Sequence, residues 1–432
     1  MNNDLFSADY TPSPYWWEDR PRPKLPQQTL PKRADVVIIG SGYSGICAAL
    51  ETARGGRETV IIDAEDAGWG CSSRNGGQVS TGLKPDLAAL VARYGQDIGA
   101  AIASEGHRAL SWIKDFVRDE ALDCDFKVAG KFLGAHSTAQ FERLAKIAGA
   151  DAAAGYGNVA IVPRSEQDRE IATDRYYGGL VYHDHASLHP AKYHQALLDR
   201  VTAAAAMVVP QCRAISIAPA GKGFTVTTER GQISTTDVVV ASNGYTDKVS
   251  PWLRRRVIPI GSYMIATEAL PAALMDRLLP TYRSIGDTRK VVYYYRPSPD
   301  RRRIIFGGRV TSYESDANKT APLLHRDLVA LFPDLADYKV SHSWHGTVAY
   351  TFDELPHLGK YAGIYYAAGY CGSGISLSSY CGTRLGQKIL GKAEGKTGFD
   401  DLNVPTRPYY FGAPWFLSAA VAYYRLRDRF GP

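Results

Sequence analysis

Residues 34–65 read ADVVIIGSGYSGICAALETARGGRETVIIDAE, and the order of residue types in this stretch decides the fold class. Val36, Val37, Ile38 and Ile39 form an unbroken β-branched run, the pattern of a strand buried on both faces of a parallel sheet. A glycine turn follows, then Ile46, Ala49, Leu50 and Ala53 at helical spacing, a Gly55-Gly56 stop, and a second apolar run from Thr59 to Ile62. This is a strand-helix-strand unit. Its turn, Gly40-Ser41-Gly42-Tyr43-Ser44-Gly45, is a GxGxxG element closing a strand and opening a helix, and Asp63 ends the next strand at 63 − 45 = 18 residues past the last glycine. That context predicts a dinucleotide cradle. Gly40 permits the tight turn, Gly42 lets backbone approach a pyrophosphate, and Gly45 lets the helix pack on the strand. Tyr43 and Ser44 open a helix whose N–H groups face phosphate, and Asp63, followed by Ala64, accepts hydrogen bonds from ribose hydroxyls.

Composition narrows the class. The chain has 432 residues, 45% of them hydrophobic, with 50 Lys+Arg against 44 Asp+Glu, a net charge of +6. This excludes a disordered polymer and predicts two or three domains. The basic residues are scattered apart from Arg254-Arg255-Arg256 and Arg301-Arg302-Arg303, so no nucleic-acid partner is expected. The six cysteines form no CxxC pair and no metal-ligand spacing. His183, His185 and His189 alternate as on a strand, a spacing compatible with metal chelation, but the sequence favours a structural role and no metal is assigned. No apolar run is long enough to span a membrane, and the N-terminus lacks the basic start and apolar stretch of a secretory signal, so a cytoplasmic protein is expected.

Along the chain, six prolines in residues 1–33 predict an extended N-terminal arm whose Tyr15, Trp16 and Trp17 need cover from the domain surface or from a partner subunit. Residues 86–150 read as mainly helical. A strand meander at 215–244 ends in the buried run Val238-Val239-Val240, and 255–310 reads as further strands around one helix. From about 342 the chain returns to glycine turns and helix.

A second glycine-rich element at 68–78 argues for FAD rather than NAD, and here the sequence resembles the D-amino acid oxidase superfamily of FAD enzymes, most closely the gamma-glutamylputrescine oxidoreductases and their relatives. The resemblance is carried by GSGYSG at 40–45, SSRNGGQ at 72–78, VVVASNGYT at 238–246 and VIPIGSYMIATE at 257–268. It continues in YYYR at 293–296, FGGR at 306–309, YYAAGYCGSG at 365–374 and AYYRLRDR at 422–429. It implies an α/β fold in which a Rossmann-like FAD-binding domain is interleaved with a smaller antiparallel-sheet (α+β) substrate domain. The expected division assigns 34–92, 160–248 and 342–432 to FAD and 93–159 and 249–341 to substrate. Carried over by the resemblance, Ser72, Ser73, Arg74, Asn75, Gly76 and Gln78 meet the second phosphate and the flavin edge, and Ala214 pairs with adenine through its backbone. Asn243 and Gly244 flank the cofactor, and Cys371, Gly372, Ser373, Gly374 and Ile375 open a helix aimed at the flavin. Where relatives have GYSGHG this chain has GYCGSG, so Ser373 replaces a histidine and Cys371 a serine.

The reaction implied by the resemblance is oxidation of a C–N bond, with hydride passing from the carbon beside a neutral amine to flavin and the imine then hydrolysed. The expected substrate is a small carboxylated amine such as a gamma-glutamylated polyamine, and the expected acceptor is oxygen, with hydrogen peroxide formed. Tyr263, Tyr295 and Arg309, together with Tyr293 and Arg296, are the candidate substrate-positioning groups. Arg309 is the candidate for an anionic substrate group, and His345 is a further candidate to meet substrate. Strand alternation puts Tyr293 and Tyr295 on one face and Tyr294 on the other, so only part of this cluster can face a site. Three other classes stay open on sequence alone: an FAD-dependent amine dehydrogenase using another acceptor, a flavoprotein with structural or regulatory FAD, and an NAD-linked dehydrogenase. Homo-oligomerisation is compatible with the sequence and not specified by it.

Overall fold

The computed structural model describes residues 5–156, 158–308, 316–400 and 402–430. The β-branched run becomes the strand Arg33–Ile39, every residue from Val36 to Ile39 being buried, with Thr59–Ile62 parallel to it on one side and Gly231–Val240 parallel on the other. Met207–Val209 extends this sheet beyond Thr59–Ile62, and Ile364–Ala368 runs parallel to the end of Gly231–Val240. The meander of Ala214–Ala220, Gly223–Thr228 and the first half of Gly231–Val240 forms its antiparallel flank. Two helices, Tyr43–Arg54 and Gly374–Ile389, pack against one another beside the parallel strands. The first sits close to the turn because residue 45 is glycine: a Cβ there would lie 1.9 Å from the Gly40 carbonyl oxygen.

Among the described residues a second sheet has nine strands, in the order Phe6–Thr11, Val340–Tyr350, Ile258–Thr267, Ile304–Gly308, Tyr294–Pro297, Ser284–Asp287, Lys131–Gly134, Gly179–Tyr182 and Val159–Val162. The pairings along it are antiparallel except at Phe6–Thr11 and between Ser284–Asp287 and Lys131–Gly134. One face carries a core of Tyr263, Ile265, Tyr295, Phe306 and Phe332, covered by the helix Ala317–Leu331. The other face looks toward the nucleotide end of the first sheet.

Sheet membership divides the chain differently from the sequence-based segments in three places. Residues 159–182 and 340–350 pair into the nine-stranded sheet, whereas the helix Gln96–Asp119 packs its Ile102, Ala109 and Ile113 into the core shared with Tyr43–Arg54. The reason is local: Gly179–Tyr182 finds its hydrogen-bond partners in Lys131–Gly134, a strand inside the stretch that reads as helical, and Val159–Val162 pairs in turn with Gly179–Tyr182.

The N-terminal arm is also more structured than its prolines predict. Phe6–Thr11 is an edge strand and Trp16–Asp19 a single helical turn. Its aromatic residues are covered by the same chain: Trp16 is fully buried and its indole N–H donates to the Asn75 carbonyl at 2.8 Å, while the Trp17 indole donates to Ser73 Oγ at 3.0 Å. Trp16→Ala removes a buried indole and leaves that carbonyl unpaired, and is expected to cost ~3–5 kcal/mol. Thermal unfolding should show this as a clear drop in Tm, and an unchanged Tm would mean that the arm does not hold the fold.

Candidate active site

Between the two sheets lies a cavity of ≈ 630 Å³. Its nucleotide end is built by local sterics. Gly40 has φ +108°, a conformation that side chains resist, and turns the chain so that residues 40–44 line the cavity mouth. A Cβ on residue 42 would lie 3.0 Å from Ser72 Oγ, so glycine there keeps the backbone open to a ligand. Gly42 caps the helix Tyr43–Arg54 without a side-chain hydrogen bond, and Ser373 caps Gly374–Ile389 in the same way. Two helix N-termini, neither bonded by its own cap side chain, therefore open on one cavity, a donor set suited to a pyrophosphate and a second electron-rich group. Asp63 lines the same end, its Oδ2 accepting from the Ser41 N–H at 2.7 Å and the Ser41 hydroxyl at 2.6 Å, its Oδ1 accepting from the Glu65 N–H at 3.0 Å. These bonds fix the carboxylate at the strand end, where a ribose would meet it.

The segment 72–78 forms the floor between cradle and second sheet. Ser72 Oγ accepts the Tyr43 N–H at 3.1 Å, tying the segment to the nucleotide helix. Asn75 Nδ2 donates to the Cys71 and Ser72 carbonyls and its Oδ1 accepts the Gly77 N–H, so its amide shapes the turn. Arg74 donates to the His345 carbonyl at 3.2 Å and its guanidinium lies 4.4 Å over the Trp69 ring and 5.0 Å over Trp17. Gln78 Nε2 donates to the Ile285 and Tyr295 carbonyls, linking the floor to the second sheet.

The sequence-derived cofactor residues converge. Gly40, Gly42, Tyr43, Ser44, Asp63, Ala64, Ser72, Arg74, Asn75, Gly76, Gln78, Ala214, Asn243, Cys371, Gly372, Ser373, Gly374 and Ile375 all line the cavity. Gly45, Ser73 and Gly244 stand behind its wall: Gly45 packs on Gly40, Ser73 donates to the Gly68 carbonyl, and Gly244 packs on the Thr347–Val348 backbone. Cys371 is buried and burial pushes its thiol up to about 11, so it stays a neutral thiol there.

The substrate-positioning candidates fare differently. Tyr263 and Tyr295 are fully buried on the opposite face of the nine-stranded sheet, and the Tyr295 hydroxyl shares a 3.1 Å hydrogen bond with that of Tyr176. His345, paired across from Tyr263, turns to that face as well, with ring centres 5.9 Å apart. Alternation is correct in period, but its phase is set by the helix Ala317–Leu331 on the far face. The cavity wall is therefore made by Ser262, Met264, Tyr294, Trp344, Gly346 and Val348. Arg296 is spent on structure, its guanidinium donating to the Gly77, Leu188 and Pro297 carbonyls. Arg309 lies outside the described residues. His185 lines the cavity and stacks on Tyr182 at 4.7 Å, while His189 caps the helix Pro190–Ala203 by accepting the Lys192 N–H. Among the described residues no cluster of three His, Cys, Asp or Glu is arranged to hold a metal.

Sequence reasoning missed Lys131, Lys84 and Asp287, which all line the cavity. Lys131 projects from the strand Lys131–Gly134; burial and the neighbouring Lys84 ammonium bring its pKa down to about 8. Neither lysine has an ion-pair partner among the described residues. Asp287 is different: it is ion-paired with Arg289, and burial raises its carboxyl to about 6.

A family model described as FAD dependent oxidoreductase (DAO) matches residues 35–387. The chain belongs to this family. Its cofactor is FAD and it is an oxidoreductase. Among curated proteins it is 30% identical over 402 residues to gamma-glutamylputrescine oxidoreductase of Escherichia coli, covering 92% of this chain and 93% of that one. It is 29% identical over 432 residues to probable oxidoreductase OrdL of Rhizobium meliloti, covering 98% and 100%. Among solved structures, glycine oxidase from Geobacillus kaustophilus superposes with a TM-score of 0.73 at 18% identity, over 88% of this chain and 100% of that one, which shows the shared fold. The two helix N-termini that open on the cavity, the Asp63 strand end and the open backbone at Gly42 fit the pyrophosphate, ribose and flavin of this cofactor. Asp63→Ala is expected to yield protein that loses FAD on dialysis, read as the ratio of flavin to protein absorbance. Full retention would remove Asp63 from the cradle.

Proposed function

We propose that this protein oxidises the C–N bond of a small carboxylated amine, such as a gamma-glutamylated polyamine, in the cytoplasm, with oxygen as acceptor and hydrogen peroxide as product. The observation that carries this reading is one continuous cavity whose far wall presents the Lys131 and Lys84 ammonium groups, without ion-pair partners among the described residues, opposite a dinucleotide cradle. The half-buried Lys131 and the exposed Lys84 beside it repel one another, and a pair of cations at the cavity wall favours an anionic ligand group. The name of the Escherichia coli relative, whose substrate it gives as gamma-glutamylputrescine, supports the same substrate class.

FAD, when bound, supplies the two-electron acceptor for the hydride that leaves the carbon beside the amine nitrogen. The protein's share is placement and exclusion of water. Lys131 and Lys84 hold the carboxylate, so the amine end is directed away from them toward the floor at 74–78. Met264, Trp344, Val348 and Leu133 line the walls and disfavour a charged ammonium, leaving the neutral amine with the lone pair the oxidation needs. The imine formed takes up water and splits into a carbonyl compound and the released amine or ammonia. The four electrons of two turnovers, or two per turnover, pass to oxygen as peroxide. In this reading the nine-stranded sheet with its helices is the substrate portion, and the parallel sheet with its helices is the FAD portion.

Anaerobic mixing of the holoenzyme with a panel of amines should bleach the flavin with carboxylated amines, and readmitted air should yield peroxide. Bleaching without peroxide would indicate another acceptor, and no bleaching by any amine would leave the FAD structural or regulatory. Lys131→Met should raise KM for carboxylated amines about tenfold or more, with uncharged amines little changed. Because the lysine is protonated below about pH 8 and neutral above it, wild-type KM for the carboxylated amine should climb above that pH, and this limb should vanish in the variant. An equal rise for both amine classes would sink the assignment.

A further inference from the structure

The segment 403–427, NVPTRPYYFGAPWFLSAAVAYYRLR, holds seven aromatic residues and three arginines and no Asp or Glu. It ends in the helix Leu417–Phe430. The inner face of this helix is fully used: Leu417 and Val421 are buried with Ile258, Ile260 and Tyr410, and the Asp428 carboxylate accepts the Lys290 and Val291 N–H groups at 2.9 Å each. The only acidic group of the helix is thereby turned inward. Beyond that inner face the helix exposes Tyr423, Tyr424 and Leu426 beside Arg425 and Arg427, and the stretch leading into it exposes three more rings. Tyr409, Phe411, Trp415, Tyr423 and Leu426 are each between 55% and 71% exposed, and with Tyr424 they make half of the large hydrophobic side chains exposed among the described residues. So dense a group of exposed aromatic side chains marks a surface that another surface covers.

Cations surround these rings. The Arg255 guanidinium lies 4.8 Å from the Phe411 ring centre, Arg427 lies 5.9 Å from Tyr423, and Arg407 lies 5.1 Å from Phe352. Arg254, from the same arginine triplet, packs on Gly412. None of these four arginines has an ion-pair partner among the described residues. The isolated Arg254-Arg255-Arg256 run of the sequence is therefore one edge of the aromatic C-terminal patch. We propose that this patch, residues 407–427 with Arg254 and Arg255, docks the enzyme peripherally on an anionic lipid surface. Tyr, Trp and Leu suit the headgroup boundary, and arginines on its rim suit anionic headgroups. A second copy of this chain is disfavoured as the occupant, because a two-fold contact would set the same arginines face to face with no carboxylate between them.

Co-sedimentation of the full-length holoenzyme should show binding to vesicles of two parts phosphatidylcholine to one part phosphatidylglycerol at least about tenfold tighter than to phosphatidylcholine alone, and weaker in high salt. Arg407→Glu with Arg427→Glu should abolish that preference, and Trp415→Ser with Tyr423→Ser should abolish binding and the quenching of tryptophan fluorescence by brominated lipid. Flavin content and the melting curve report whether each variant is folded; the arginine pair is exposed, so it reads the proposal even if the aromatic pair does not fold. Equal affinity for neutral and anionic vesicles would overturn the proposal. So would a dimer by light scattering that Trp415→Ser dissolves in protein without vesicle binding, or tighter binding to a nucleic acid than to vesicles.

Discussion

Three backbone carbonyls hold this molecule together at its centre. Those of Arg74, Asn75 and Gly77 point out of the cavity floor and accept from the Trp344 indole, the Trp16 indole and the Arg296 guanidinium respectively. The donors come from the late strand Val340–Tyr350, the N-terminal arm and the strand Tyr294–Pro297, with the arm's Trp16 280 and 328 residues from Arg296 and Trp344. A buried carbonyl without a partner costs about 1–3 kcal/mol, so each donor must be in place for the turn to hold its shape. With the carbonyls occupied on the outer side, Asn75 is free to shape the inner side and Ser72 to reach the nucleotide helix. The two sheets thus share one short segment, and the geometry between cradle and substrate wall is set there rather than by either sheet alone.

The cavity's charge pattern follows from the same layout. Its nucleotide end combines helix N-termini with the carboxylates of Asp63, Glu65 and Asp247, the last two ion-paired with Arg213, while the opposite wall carries Lys84 and Lys131 with Asp287, which is committed to Arg289. A ligand spanning the cavity meets donors at both ends and apolar walls between. Ser373 and Cys371 sit where the second helix opens, contributing backbone N–H geometry and no charge.

What the sequence made legible depended on how local the physics was. The cradle was readable because glycine sterics, a β-branched run and an acid at a fixed distance act within some thirty residues. Residues 72–78 were readable only through family resemblance, since their partners are remote. Tyr263 and Tyr295 face away from the cavity because a period of two leaves two phases, and the choice between them rests on the helix Ala317–Leu331, which begins 54 residues after Tyr263 and 22 after Tyr295. Lys131 went unnoticed because KFLG lies between two helices, and a four-residue strand there gains its identity only by pairing with Gly179–Tyr182 and Ser284–Asp287. The arm's prolines could not reveal that Trp16 fills the molecule's interior.

The arm's position also bears on how the chain is made. Phe6 pairs with Val340, and Ser7 Oγ reaches the Val340 carbonyl across 333 residues. At roughly 5–20 residues per second of synthesis, the first residues to leave the ribosome wait on the order of tens of seconds for the strand that will receive them. Until Val340–Tyr350 is made, the floor at 74–77 lacks the Trp344 indole, one of its three donors, and Trp16 lacks Trp344 as a packing neighbour. Completion of the cofactor site is therefore coupled to the end of translation: a chain stalled before residue 340 would carry a finished GxGxxG turn and no site for it to serve.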